Sequence, residues 1–66
     1  MNIRKLKGKM VEKGINVDTL ASIININRST MYRKLDGGEK FTIGEAKRIK
    51  EALELNNEEA RSIFFD

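Results

Sequence analysis

Arg28, Ser29, Tyr32, Arg33 and Lys34 lie within seven residues of one another, in the segment RSTMYRKL. At helical spacing, positions 28, 29, 32 and 33 share one face, with 34 beside them. Such a face is equipped for recognition. A guanidinium is permanently charged and presents a rigid fork of donors. Serine and tyrosine add hydroxyls, and the tyrosine ring adds apolar surface. Catalysis is not expected. The chain has no histidine and no cysteine, which excludes ordinary zinc ligation and disulfides. Its carboxylates are spread over helix surfaces and do not converge on a pocket. No enzyme, metal, cofactor or small-molecule substrate is therefore expected.

Charge agrees with an anionic partner. The net charge is +3. Residues 1–40 hold nine Lys or Arg against four Asp or Glu, a net of +5, and residues 41–66 hold four against six, a net of −2. An anionic partner would meet the basic half. The plainer reading is a solvated helical surface. No run of about 18 apolar residues exists, so no membrane span is expected. No apolar signal core follows the basic N-terminus, and the cytoplasm is the expected compartment.

The elements that must carry this face are short helices. The chain has 66 residues, no proline and few β-branched runs, and is rich in Lys, Glu, Ile, Leu and Ala. Without disulfides or metal, a chain this small depends on well-packed helices or on oligomerisation. The expected fold is all-α, one domain over residues 1–66, with five helices. The first runs from about Asn2 to Lys13, with Ile3, Leu6, Met10 and Val11 on one face and Gly14 at its end. The second starts at the N-cap Asn16 and buries Val17, Leu20, Ala21 and Ile24. The third runs from about Arg28 to Asp36, capped by Asn27, with Met31 and Leu35 inward. The fourth starts with the capping box Thr42-Ile43-Gly44-Glu45 and the staple residue Phe41, and buries Ala46, Ile49, Ala52 and Leu53. The fifth starts at Asn56, with Glu59 repeating the box, and has Ala60, Ile63 and Phe64 as its apolar side.

Only about three residues join the second and third helices. A connection so tight needs one residue with positive φ, and asparagine is the choice after glycine. Asn25 fills that role. Ile26 then points inward and Asn27 caps the next helix. The small Ala21 allows a close crossing. Residues 16–36 thus read as a helix-turn-helix.

The stretch GINVDTLASIININRSTMYRKLDG resembles the DNA-binding domain of the lambda-type phage repressors and Cro proteins, the family also called XRE. RSTMYRKLDGGEKFTIGEAKRIKEALEL, with the closing IFF, is similar to small phage regulators of low-GC Gram-positive bacteria. The resemblance covers about residues 3 to 65. It implies a bundle of five short helices, with helix three in the major groove of double-stranded DNA, and dimers on short palindromes. Three positions depart from the family pattern. Asn25 replaces the usual turn glycine. Lys34 stands where an apolar residue is common, with Leu35 able to take over its packing. Ile23 replaces a polar residue, and either extends the core or marks a contact surface.

By position, Arg28, Ser29 and Arg33 match the base-reading sites of the family. Arginine can make two parallel hydrogen bonds to guanine O6 and N7. Tyr32 can meet a thymine methyl with its ring or a phosphate with its hydroxyl. Asn27 caps helix three and can also touch the groove edge. Thr30 packs near the turn or meets a phosphate. Backbone contacts are expected from Asn27, Thr30, Lys34, Lys40 and Thr42, from the amides around Gly37, Gly38 and Thr42, and from the start of helix two, where Asp18 opposes a phosphate. Lys5 and Lys9 add general attraction.

Phe64 and Phe65 cannot both face inward, so one closes the core and the other is exposed. A homodimer through helix five and the C-terminus, with Phe64 and Phe65 at its interface, is expected, weak or DNA-assisted because no second domain is present. The IFFD ending fits a complete small regulator. The expected function is a sequence-specific transcription regulator of Cro-like or repressor type. Two alternatives stand beside it: a DNA-binding accessory module of excisionase, antitoxin or recombinase-partner type, and a helical protein-interaction adaptor. Outward arginines argue against the adaptor, whose groove would want apolar anchors.

Overall fold

The computed structural model describes residues 1–65, so Asp66, the last residue of the IFFD ending, lies outside them. Five helices and no strand occur among the described residues: α1 (Ile3–Lys13), α2 (Val17–Ile23), α3 (Arg28–Leu35), α4 (Ile43–Ala52) and α5 (Asn57–Phe64). The all-α, five-helix expectation holds.

A repeated local code sets their starts. Asn2, Asn16, Asn27, Thr42 and Asn56 each sit in extended conformation before a helix. Each side-chain oxygen accepts from the amide three residues on, satisfying one of the donors that a helix start leaves open. At α4 and α5 the bond is reciprocal, with Glu45 and Glu59 accepting from the amides of Thr42 and Asn56.

The ends of α1 to α4 are equally regular. Gly14, Asn25, Gly37 and Glu54 have φ of 68°, 62°, 85° and 54°. In each case the left-handed residue donates its amide back three residues, and its successor donates back five. This is the paired geometry that closes a helix on itself. The successors Ile15, Ile26 and Leu55 are apolar and pack on the core. The fourth successor is Gly38, where an added Cβ would come within 3.2 Å of the Arg33 carbonyl oxygen.

The core consists of Leu6, Met10, Leu20, Ala21, Ile24, Met31, Leu35, Ile49, Leu53, Leu55 and Ile63, with Ile15, Val17, Ile26, Phe41, Ala52 and Phe64 packed around it. α2 packs on α3 and α4, and α5 packs on α1 and α4. The amide of Asn2 donates to the carbonyl of Ile63 at 2.6 Å, tying the chain start to α5. Val11, expected on the apolar face of α1, is 82% exposed. It lies one position past Met10, and 100° of helix rotation carries it off the buried stripe.

Candidate nucleic-acid interface

α3 divides cleanly into two faces. Met31, Lys34 and Leu35 are buried, whereas Arg28, Ser29, Tyr32 and Arg33 are exposed together. The division follows from the turn before it. Asn25 bends the chain, Ile26 anchors it to the core, and Asn27 starts the new helix with Met31 turned inward. Ile26 donates its amide to the Ala21 carbonyl at 3.0 Å, which fixes the entry of α3 against α2. From α4, Arg48 donates to the carbonyl of Ile24 at 3.1 Å and holds the C-terminal end of α2. Arg48 had no assigned role in the sequence, because nothing local marks an arginine that caps a helix two elements away.

The exposed side chains are individually held. Arg28 Nε lies 3.0 Å from Asp18 Oδ1, and the guanidinium carbon of Arg28 sits 5.7 Å from the centre of the Tyr32 ring. Arg33 Nε lies 3.4 Å from Glu39 Oε1, and a terminal nitrogen of Arg33 donates to the Thr30 hydroxyl at 3.3 Å. Two arginines and an aromatic ring thus lie exposed on one face of α3, each guanidinium paired with a carboxylate at its flank. Ser29 is exposed beside them. The sequence noted Asp18 only as opposing a phosphate, and it passed over Glu39. Ten residues separate Asp18 from Arg28, and only the crossing of α2 and α3 brings them together.

Lys34 departs most from expectation. Read from the sequence as a backbone contact beside the outward face, it is 6% exposed. Its ammonium donates to the Lys40 carbonyl at 2.9 Å, pairs with Glu45 Oε1 at 3.1 Å, and lies 5.6 Å from the centre of the Phe41 ring. Glu39 Oε2 is 4.0 Å away. A charge is tolerable in that apolar position because the long stem packs inward and the head is fully partnered. Among the described residues, no buried side-chain nitrogen or oxygen lacks a hydrogen-bond partner. The Lys34 ammonium is thus turned inward and occupied, unlike the exposed side chains of α3.

The other expected backbone contacts divide. Asn27 and Lys40 are exposed, and Thr30 is half-buried. The Asn27 side-chain oxygen accepts from the Thr30 amide in the cap, and the side-chain NH2 group is a donor. Thr42 is exposed, but its amide donates to Glu45 and its hydroxyl accepts from the Glu45 amide. The amides of Gly37 and Gly38 donate to the carbonyls of Lys34 and Arg33. These three amides are consumed in closing α3 and opening α4, so they do not form the expected phosphate cradle. Lys5 bonds the Ser62 hydroxyl, and Lys9 pairs with Glu12 and Glu59, so both ammoniums are engaged along α1 and α5. Glu59 holds the Lys9 pKa above its ordinary value, while Lys9 and the Asn56 amide hold Glu59 below the usual carboxylate range.

Burial raises the pKa of the Glu45 carboxyl. The Thr42 amide and the Lys34 ammonium together outweigh that effect, and the group lies below its ordinary value. Glu45 is therefore ionised near neutral pH and can serve both the cap and Lys34.

Phe64 is half-buried, edge-on to Phe41 with ring centres 6.2 Å apart, and Phe65 is 72% exposed. One ring closes the core and the other faces solvent, as the sequence requires. Ile43 is also exposed.

A family model for the helix-turn-helix domain of resolvase matches residues 5–38, which contain nearly all of α1, the whole of α2, the turn and α3. The chain belongs to that helix-turn-helix family of DNA-binding domains. No curated protein and no solved structure matches it significantly. The match and the sequence resemblance agree on the helix-turn-helix, the feature that presents Arg28, Ser29, Tyr32 and Arg33 on one face. Among the described residues, no helix is long and apolar enough to cross a membrane, and no cluster of acidic side chains could hold a metal ion.

Proposed function

We propose that this helix-turn-helix protein is a sequence-specific transcription regulator of double-stranded DNA, of the Cro-like or repressor kind found in phages and prophages. Residues 1–66 act as one DNA-binding unit in the cytoplasm. α3 enters the major groove of a short palindromic operator, and two copies bind as a weak, DNA-assisted homodimer. The observation that carries this reading is the outward face of α3, where Arg28, Ser29, Tyr32 and Arg33 are exposed together and backed by a buried face. A recognition helix reads bases largely through its N-terminal residues. Arg28 and Arg33 read guanines, Ser29 and Tyr32 complete the base contacts, and Asn27, Thr30, Lys40 and the Thr42 hydroxyl meet the backbone.

A second reading is favoured by the family match itself. A helix-turn-helix of resolvase type suits a DNA-binding module that serves recombination, in which one chain reads one site beside a catalytic partner. Selection from a random-sequence duplex library at two salt concentrations separates the two. A recovered pseudo-palindrome, with half-site centres about one helical turn apart, is the result expected of the regulator. A single asymmetric site favours the recombination module. Arg28→Ala and Arg33→Ala are each expected to relax preference at one base position and to weaken that site by about 1–3 kcal/mol. Absence of duplex binding even at low salt overturns both readings.

A further inference from the structure

The two reading arginines are held in the same way by residues from different parts of the chain. Asp18 comes from the first turn of α2, and Glu39 from the turn that follows α3. Each carboxylate approaches its arginine at Nε, at 3.0 Å for Arg28 and 3.4 Å for Arg33. Each arginine also touches a second side chain of α3: Arg28 lies over the Tyr32 ring, and Arg33 bonds the Thr30 hydroxyl. Exposed ion pairs contribute little to stability, so folding energy does not explain two acidic residues at the flanks of this face. Their carboxylates also repel the phosphates that the face must approach. They work against affinity for DNA in general.

We propose that Asp18 and Glu39 are positioning residues for base reading. The proposal rests on the DNA-reading function given above. A carboxylate on the Nε side leaves the terminal nitrogens to meet a base, and at Arg33 the nitrogen that bonds the Thr30 hydroxyl gives up that contact when it does so. Those two nitrogens are the donors that meet O6 and N7 of guanine end-on. The planar fork is then biased toward one orientation before DNA arrives, and a base that lacks two acceptors gains less from it. General attraction is exchanged for discrimination at the two positions read by Arg28 and Arg33.

This account gives opposite signs on two DNAs, which a merely structural role does not. The test compares wild type, Asp18→Ala, Asp18→Asn, Glu39→Ala, Glu39→Gln and the control Glu51→Ala. Glu51 is an exposed residue of α4, so its loss removes one negative charge away from α3. Affinities are measured on the selected site, on the same site with each guanine replaced, and on a random duplex. Far-ultraviolet circular dichroism verifies that each variant is folded.

Asp18→Ala should lower the preference for guanine at the Arg28 position by about fivefold, part of the discrimination a bidentate pair supplies. It should also strengthen random-duplex binding. Glu39→Ala should do the same at the Arg33 position. Asp18→Asn and Glu39→Gln keep an acceptor and should retain most of the preference. Glu51→Ala should shift all duplexes together. If Asp18→Ala and Glu39→Ala also shift all duplexes together, the positioning role is overturned while the reading function stands. If wild type shows no base preference, the reading function fails and the positioning role falls with it.

Discussion

At the scale of single residues, backbone conformation is the sharpest constraint. Asn25 and Glu54 are the non-glycine residues with positive φ among those described. Left-handed backbone costs an L-residue roughly 1–2 kcal/mol, with asparagine among the more tolerant types. Asn25→Gly and Glu54→Gly are therefore expected to leave stability unchanged or raise it by up to about 1 kcal/mol, the larger gain falling at Glu54. Asn25→Ala should lower it by about 1 kcal/mol, because alanine has no side-chain group to stabilise the turn. Urea midpoints of the three variants measure this. A stabilised Asn25→Ala would mean that the turn does not need its left-handed residue. The same scale explains Lys34, whose burial is permitted because Glu45, the Lys40 carbonyl and Phe41 surround its ammonium.

At the scale of elements, helix ends govern how α3 is presented. The Thr42–Glu45 box starts α4, and Glu45 also holds Lys34 at the end of α3. The Glu45 carboxyl has a folded pKa below its ordinary value. Its contribution is therefore complete above the unfolded carboxylate range, and it is lost as pH falls through the lower, folded value. Glu45→Gln should cost stability near neutral pH and lose less of it on acidification than wild type. Denaturant midpoints at about pH 6 and about pH 3 test this. Equal acid losses in the two proteins would remove Glu45 from the account. At the interface, loosening this box should free the end of α3, because the same carboxylate serves both elements.

At the scale of the whole molecule, the proposed homodimer needs a contact surface. The chain measures 28 × 23 × 20 Å. Exposed Phe65, exposed Ile43 and half-buried Phe64 line a depression with Phe41 and Ala46, at the end of α5 and the start of α4, with Lys40 and Thr42 also on its wall. In the proposed homodimer this apolar patch is the contact. Phe65→Ser removes apolar surface without opening the core, since Phe64 carries the contact with Phe41. It should weaken self-association in sedimentation experiments and reduce cooperative binding to a palindromic duplex, with single half-site binding unchanged. If both remain at wild-type values, the homodimer does not use this end of α5.

What the sequence determined by itself was local. Asn16, Asn27, Thr42 and Asn56 read as caps because an N-cap needs only its own side chain and an amide three residues on. Asn25 was legible as the turn because two helical segments separated by three residues leave few backbone solutions. The split between Met31 and Leu35 on one side and Arg28, Ser29, Tyr32 and Arg33 on the other followed from helical period alone. Tertiary structure decided what depends on how separate elements meet. It buried Lys34, since an inward lysine is possible only where later residues of the chain supply partners. It used the amides of Gly37, Gly38 and Thr42 to close one helix and open another. It brought Asp18 to Arg28 and Arg48 to the carbonyl of Ile24, contacts that span ten and twenty-four positions. Periodicity and capping act within one or two helical turns. The contacts that pair Arg28 with Asp18 and Arg33 with Glu39 exist only once α2, α3 and the turn after α3 are packed together.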